Sequence, residues 1–296
     1  MTAVLGPTGV GKTEFASRLA GALGAEVVVA DSRQVYRRLQ IATNKPGPAQ
    51  LERARFHMID VVDPERGFDV HRYTTLATAC VARIAAAGRP IVLEGGTGLY
   101  VDALLDGYSL GGVPARPERR EELRGRPVRE LAAIVRRLDR EARVDPSNPV
   151  RLVRAIEVLE AAGPPLSMRR GRAAPAWHVV RVGLVATKEE IARRLAERVR
   201  SQIDRGLVEE TRHALAGGVP AGAPALTGIG YAEAVRHLAG ELSLDEMAAA
   251  MLSANRRYAK RQMTWLRRDR RIRWFPADPD PLPAVLAHLR NAAQPA

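Results

Sequence analysis

Eight residues near the N-terminus constrain this chain more tightly than any other stretch. Gly6-Pro7-Thr8-Gly9-Val10-Gly11-Lys12-Thr13 fits the spacing G-x-x-x-x-G-K-[ST] in full. It follows a short apolar run ending at Val4-Leu5 and precedes a helical pattern over about 11–22, the strand–loop–helix context that such a loop requires. Backbone N–H groups at the head of a helix form an anion cradle. Gly6, Thr8, Gly9, Gly11, Lys12 and Thr13 are therefore assigned to a diphosphate or triphosphate. Lys12 supplies a point charge, and the Thr13 hydroxyl is placed for Mg2+. The loop does not say whether the ligand is ATP.

The rest of the chain suits an α/β fold. Val27-Val28-Val29-Ala30 ends at Asp31, Ile91-Val92-Leu93 ends at Glu94-Gly95-Gly96, and 179–185 reads as a further strand. Alternating strands and helices indicate a parallel sheet covered on both faces, as in the P-loop nucleotide kinases. In such sheets ligands bind beyond the carboxyl ends of the strands. The phosphate loop, Asp31 and the Gly95-Gly96-Thr97 turn should therefore converge. Between 112 and 176 the character changes: prolines at 114, 117, 127, 146, 149, 164, 165 and 175 punctuate arginine-rich helical pieces. That stretch reads as a helical insertion, with 1–111 and 177–296 forming the catalytic core. Asn148-Pro149 is a good start for a helix whose apolar line is Leu152, Ile156 and Leu159.

Charge narrows the partners. Forty-six Lys+Arg against 33 Asp+Glu leave a net charge of +13, which favours a polyanion such as nucleic acid. Lysine occurs only at 12, 45, 188 and 260, so a drift towards arginine in base composition is a competing explanation. No apolar run is long enough to span a bilayer, and residues 1–5 lead straight into the loop without room for a signal peptide. The single cysteine, Cys80, reads as a buried structural thiol. A cytoplasmic protein without a membrane partner is expected. From about 245 to 266 a helix is expected with Met247, Met251, Ala254, Tyr258 and Trp265 facing inward. Arg256, Arg257, Lys260, Arg261, Arg267 and Arg268 form a separate basic band suited to RNA phosphates.

Several further segments carry a resemblance. They are Asp31-Ser32-Arg33-Gln34-Val35-Tyr36, Ile41-Ala42-Thr43-Asn44-Lys45-Pro46, His57-Met58-Ile59-Asp60, and Phe68-Asp69-Val70 with Tyr73. Gly95-Gly96-Thr97-Gly98-Leu99-Tyr100, the stretch from 148 to 157, Gly228-Ile229-Gly230-Tyr231 and Lys260-Arg261-Gln262-Met263-Thr264-Trp265-Leu266-Arg267 continue it in the same order. With the phosphate loop, these make the chain resemble the tRNA dimethylallyltransferases (tRNA isopentenyltransferases) along nearly its whole length. The resemblance implies prenyl transfer from dimethylallyl diphosphate to N6 of adenosine 37, beside the anticodon of tRNA, with Mg2+ as cofactor and the protein a monomer. Asp31 matches the family's general base, and Arg198 an arginine that reaches the diphosphate. Thr97 would join them in stabilising the leaving charge. Asp31, Ser32, Arg33 and Gln34 would read the flipped base. Gly230, Tyr231, Lys260, Arg261, Gln262, Trp265 and Arg267 would meet the anticodon stem-loop. Arg120, Arg151 and Arg154 of the insertion would grip its other side. Tyr231 suits stacking on a base or packing equally.

The chain departs from the family pattern at Glu94, where an apolar residue is usual, at Asn255 in place of threonine, and beside Asn148, where an acid is often found. Glu94 and Asp31 both occupy strand ends that hold Mg2+ in kinases, so a small-molecule kinase stays open at this stage. A non-catalytic RNA-binding protein accounts for the charge but leaves the phosphate loop without a purpose.

Overall fold

Six short parallel strands frame the computed structural model, which describes residues 1–107, 113, 116–169 and 177–293. They are β1 (Thr2–Leu5), β2 (Glu26–Ala30), β3 (Phe56–His57), β4 (Ile91–Gly95), β5 (Val180–Val185) and β6 (Arg273–Pro276), in the order β3-β2-β4-β1-β5-β6. Central strands of such a sheet are covered on both faces, which accounts for their unbroken apolar runs. Val4, Val27, Val29, Val92, Val182 and Leu184 pack with Phe15 and Leu19 of the helix Lys12–Leu23 and with Val285 of the helix Leu282–Ala293. The helix Val70–Ala86 buries Tyr73, Ala77, Val81 and Ile84, and the Tyr73 ring stacks on Tyr100 at 4.2 Å between centroids. The α/β class expected from the sequence is the one observed.

Register sets the position of the site. Leu5 and Ala30 both pair with Gly95, so β1, β2 and β4 end at one level. The residues that follow them, Gly6, Asp31 and Gly96, begin the loops on one edge of the sheet. Beyond that edge lies a helical layer made of Lys188–Asp204, Leu207–Ala216, Tyr231–Leu238 and Leu244–Leu266. It is cored by Val199, Leu207, Leu226, Tyr231, Met247 and Met251, against Val35, Tyr36 and Leu39 of the segment after Asp31.

The chain divides into two units, Met1–Val101 with Trp177–Ala296, and Asp102–Ala176. The second contains the helices Pro117–Leu123, Val128–Leu138 and Pro149–Ala162 around Leu123, Leu131, Val135, Leu152, Ile156 and Leu159. Asn148 caps the last of these, its side chain accepting the Arg151 amide at 3.1 Å. The expected limits of the insertion at 112 and 176, and Pro114 and Pro175, lie outside the described residues.

Two expectations are corrected. Cys80 is half-buried on the helix Val70–Ala86 rather than buried. The helix expected over 245–266 spans Leu244–Leu266, but its inner line is Met247, Met251, Asn255, Ala259, Gln262 and Leu266. Ala254, Tyr258 and Trp265 are only half-buried, because the second half of this helix faces polar loop backbone instead of an apolar core. Among the described residues no helix is long and apolar enough to cross a membrane.

Candidate active site

A cavity of about 530 Å³ opens at the carboxyl edge of the sheet. One wall is the phosphate loop, whose Thr8, Gly9, Gly11, Lys12 and Thr13 all line it. Gly9 and Gly11 have φ of +86° and +94°, a left-handed region that side chains disfavour, and the helix begins directly at Lys12. Gly6 lies beneath the loop and does not line the cavity; a Cβ there would come within 2.8 Å of the Leu184 carbonyl. The loop is held from outside by one face of the helix Lys188–Asp204. Arg194 donates to the Val10 carbonyl at 3.0 Å and Arg198 to the Thr8 hydroxyl at 2.7 Å. Gln202, one turn further on, donates to the Ile41 carbonyl at 3.3 Å and to Asn44 Oδ1 at 3.2 Å. The spacing i, i+4, i+8 thus ties the phosphate loop and the 41–44 segment to the same helix.

The opposite wall starts at Asp31. Its Oδ1 accepts the amides of Arg33 at 2.7 Å and Gln34 at 3.3 Å, forming a tight turn that aims the carboxylate into the cavity. The Ser32 amide donates to the Thr97 hydroxyl at 3.1 Å, and the Thr97 amide to the Ala30 carbonyl at 3.2 Å. Tyr258 shares a hydrogen bond with Thr97 as well, and burial, with Asp31 adding to it, pushes the phenol up to about 12. Gln34 is buried, donates to the Asn44 carbonyl at 3.4 Å, and leaves its Oε1 without a partner. Lys45 closes this wall, donating to the Tyr36 carbonyl and to Asp60, both at 2.6 Å.

Four of the charged groups that line the cavity, Lys12, Asp31, Glu94 and Arg198, act on one another. Burial pulls the Lys12 ammonium below its ordinary value, while Glu94 and Asp31 oppose the shift and Arg198 adds to it. Burial likewise lowers Arg198, opposed by Glu94. Burial raises Glu94, which Lys12 resists and Asp31 reinforces. Lys12, Arg33, Lys45, Arg198 and Arg261 outnumber Glu14, Asp31 and Glu94 around the cavity, so its lining carries an excess of positive charge that suits a diphosphate.

The donors available to a metal are oxygens, namely the Thr13 hydroxyl and Glu94, whose buried Oε2 makes no hydrogen bond. Hard oxygen donors next to a phosphate cradle fit Mg2+. Among the described residues no cluster of three or more His, Cys, Asp or Glu could hold a metal alone. Mg2+ would therefore share its coordination with diphosphate and water.

The model of one family, IPP transferase, matches residues 34–269 of the chain. The chain belongs to the IPP transferase family. The tRNA dimethylallyltransferase of Thermomicrobium roseum is 40% identical to it over 281 residues, 93% of this chain and 85% of that one. The tRNA dimethylallyltransferase 1 of Citrifermentans bemidjiense is 41% identical over 290 residues, covering 96% and 94%. The crystal structure of the full-length tRNA isopentenylpyrophosphate transferase of Bacillus halodurans superposes with a TM-score of 0.75 at 31% identity, covering 98% of this chain and 95% of that one.

Placement separates the residues that the family resemblance assigned to the site. Asp31, Ser32, Arg33, Gln34, Arg198 and Arg261 line the cavity, with Arg261 also lying over the Tyr258 ring at 5.7 Å. Thr97 is not among the residues that line it; its hydroxyl accepts the Ser32 amide and shares a hydrogen bond with Tyr258, which ties it to the Asp31 turn. Gln262 lines the cavity and spends one amide donor and one acceptor on bracing its loops. Its Oε1 accepts the Thr8 amide at 2.7 Å and its Nε2 donates to the Gly96 carbonyl at 2.9 Å. Trp265 packs over Gly98, where a Cβ would lie 2.5 Å from the ring.

Tyr231 is 1% exposed, donates to Glu210 at 2.5 Å and accepts the Ala42 amide at 3.3 Å, which settles packing over stacking. Gly230 opens that helix with φ +98° against the Ala42 methyl. In the second unit Arg120 and Arg154 are spent on the buried Glu157, and Arg154 also donates to the Val113 carbonyl. Lys260, Arg267 and Arg151 are exposed.

Sequence reasoning assigns no role to four residues that shape the site: Gln202, Glu210, Lys45 and Tyr258. Only Gln202 leaves a usable signal, through its helical spacing from Arg194 and Arg198.

Proposed function

We propose that the chain transfers a dimethylallyl group from dimethylallyl diphosphate to N6 of the adenosine 3′ of the anticodon, adenosine 37, in tRNA, releasing diphosphate. The observation that carries this reading is the placement of Asp31 across one cavity from the phosphate loop. A kinase needs the cavity's far side to seat a hydroxyl acceptor. Here that side offers a carboxylate, the unpartnered Gln34 amide oxygen and arginines, groups suited to an aminopurine carried on RNA.

The diphosphate lies on the N–H groups of the loop from Gly9 to Thr13, with Lys12 and Arg198 on its oxygens. The Thr8 amide is excluded from that cradle because Gln262 takes it. Mg2+ would be held at Thr13 and would supply charge to stabilise the departing diphosphate. The exocyclic amine of adenine is a weak nucleophile, since its lone pair is delocalised into the ring. As N6 bonds to C1 of the prenyl chain, the C1–O bond breaks, diphosphate takes that electron pair, and the N6 proton passes to Asp31. Gln34 accepts a hydrogen bond from the adenine amine, and Arg33 and Arg261 flank the base's path into the cavity. Lys260, Arg256, Arg267 and Arg268 on the exposed face of the last long helix neutralise phosphates of the stem-loop, as does Arg151.

The test combines purified protein, Mg2+, dimethylallyl diphosphate and unmodified tRNA, followed by mass spectrometry of the digested RNA. An isopentenyl-adenosine should form, and should vanish when adenosine 37 is replaced by guanosine. Product at another position, or ATP hydrolysis without RNA modification, would overturn the proposal.

A further inference from the structure

Glu94 is the last inward-facing residue of β4, in register with Val4 and Val29 of the neighbouring strands. Those partners belong to the apolar row under the helix Lys12–Leu23, and Glu94 puts a carboxylate where that row would place another aliphatic chain. It is 3% exposed and reaches the cavity floor. Its Oε1 accepts the Thr13 hydroxyl at 3.3 Å, and its Oε2 is buried with no hydrogen-bond partner among the described residues. A buried carboxylate oxygen left unpaired is rare in folded proteins and calls for a ligand.

The loop supplies the reason. A carboxylate beneath a diphosphate repels it unless a cation stands between them. The Thr13 proton is directed onto Oε1, which turns the hydroxyl's lone pairs away from Glu94 and into the cavity. The same hydrogen bond thus orients one oxygen donor and leaves a second, Oε2, beside it. Hard divalent cations bound with phosphates take this kind of sparse set, one or two protein oxygens with the rest supplied by phosphate and water.

We infer that Glu94, acting with Thr13, is the carboxylate anchor of the Mg2+ that accompanies the diphosphate, binding the ion directly or through one of its waters. The inference rests on the diphosphate reading of the loop. It adds a second protein oxygen to a metal otherwise held by Thr13 and substrate.

The test uses Mn2+ in place of Mg2+, with inorganic diphosphate as the only other ligand, so neither RNA nor turnover is involved. Free Mn2+ is read by electron paramagnetic resonance for the wild type, Glu94→Gln and Glu94→Val. Both variants should bind Mn2+ roughly 10- to 100-fold more weakly. Glu94→Gln keeps the side chain's size and an acceptor for Thr13, so its affinity decides the matter if the valine variant is unstable. Calorimetric titration with metal-free diphosphate should show affinity unchanged or tighter in Glu94→Gln, because a negative charge has gone. Mn2+ affinity within about twofold of wild type would assign Glu94 a neutral, hydrogen-bonding role and overturn the inference. Wild-type protein that binds no Mn2+ with diphosphate would overturn the diphosphate reading as well.

Discussion

Gln262→Ala should damage folding and diphosphate binding together, and the size of both effects follows from its position. Gln262 is 5% exposed and joins the Thr8 amide to the Gly96 carbonyl, so a single side chain braces the phosphate loop against the turn after β4. Truncation leaves one donor and one acceptor without partners, at about 1–3 kcal/mol each when water cannot reach them. The Thr8 amide borders the cavity and regains water at lower cost, which puts the total at about 2–4 kcal/mol. That corresponds to a fall in melting temperature of roughly 3–6 °C. A loop that loses its brace must also be re-ordered by ligand. Fixing one residue costs about 1–2 kcal/mol, or roughly five- to thirtyfold in diphosphate affinity. Urea unfolding and calorimetric titration with Mg2+ and inorganic diphosphate measure the two effects. Gln262→Glu retains an acceptor for Thr8 but sets a carboxylate against the Gly96 carbonyl and beside the diphosphate, so it should bind diphosphate no better than Gln262→Ala. If Gln262→Ala changed stability and diphosphate affinity by less than about 0.5 kcal/mol while weakening tRNA binding, the residue would be an RNA contact and the bracing argument would fail.

Other consequences can be measured separately. Lys260→Ala with Arg267→Ala should lower the slope of log tRNA affinity against log salt by about one for each phosphate no longer neutralised, measured by fluorescence anisotropy at several salt concentrations; an unchanged slope would remove this face from the RNA interface. Tyr231→Phe loses the hydroxyl shared by Glu210 and the Ala42 amide, so a destabilisation of about 1–2 kcal/mol is expected, whereas a tyrosine that only stacked on a base would leave stability unchanged because phenylalanine keeps the ring. In the second unit burial pushes the Glu157 carboxyl up, but the Arg120 pair, the Arg116 amide and Arg154 together hold it below its ordinary 4.5. A depressed folded value means stability that is complete above 4.5 and lost as pH falls through the folded value. Hydrogen-exchange protection of the helix Pro149–Ala162, taken relative to the intrinsic rate at each pH, should therefore fall on acidification below that point, and Glu157→Gln should flatten this acid dependence; identical profiles would sink the assignment.

The strand ends that carry the chemistry were legible because β-branched runs stop abruptly at Gly6, Asp31 and Gly95. Parallel register then carries those three points to one edge. β3 and β6 left no such signal: one has only the residues Phe56–His57, and the other, Arg273–Pro276, mixes a charge, an exposed edge and a proline. Hydropathy also misplaced the inner face of the helix Leu244–Leu266. Its second half meets the backbone of the phosphate loop and the Gly96 turn through the buried Gln262, while the buried Asn255 donates to the Met251 carbonyl of its own helix. A hydrophobic periodicity has no means of finding a polar seam. Arg120 and Arg154, expected as RNA contacts, both pair with Glu157, a buried acid whose place in the sequence resembles any exposed helical glutamate. Thr97 is recognisable as a site residue, but whether it faces ligand or supports Asp31 depends on a hydroxyl direction that only the fold determines.

The most direct test of the account is the single-turnover rate of Asp31→Asn with dimethylallyl diphosphate and tRNA, measured alongside diphosphate and tRNA affinities. Asparagine keeps an oxygen for the Arg33 and Gln34 amides, so the turn should survive while the proton acceptor is lost. The account predicts a transfer rate lower by about 10²–10⁴ with both affinities within a few-fold of wild type. A rate close to wild type would show that Asp31 does not accept the adenine proton, and would contradict the central claim.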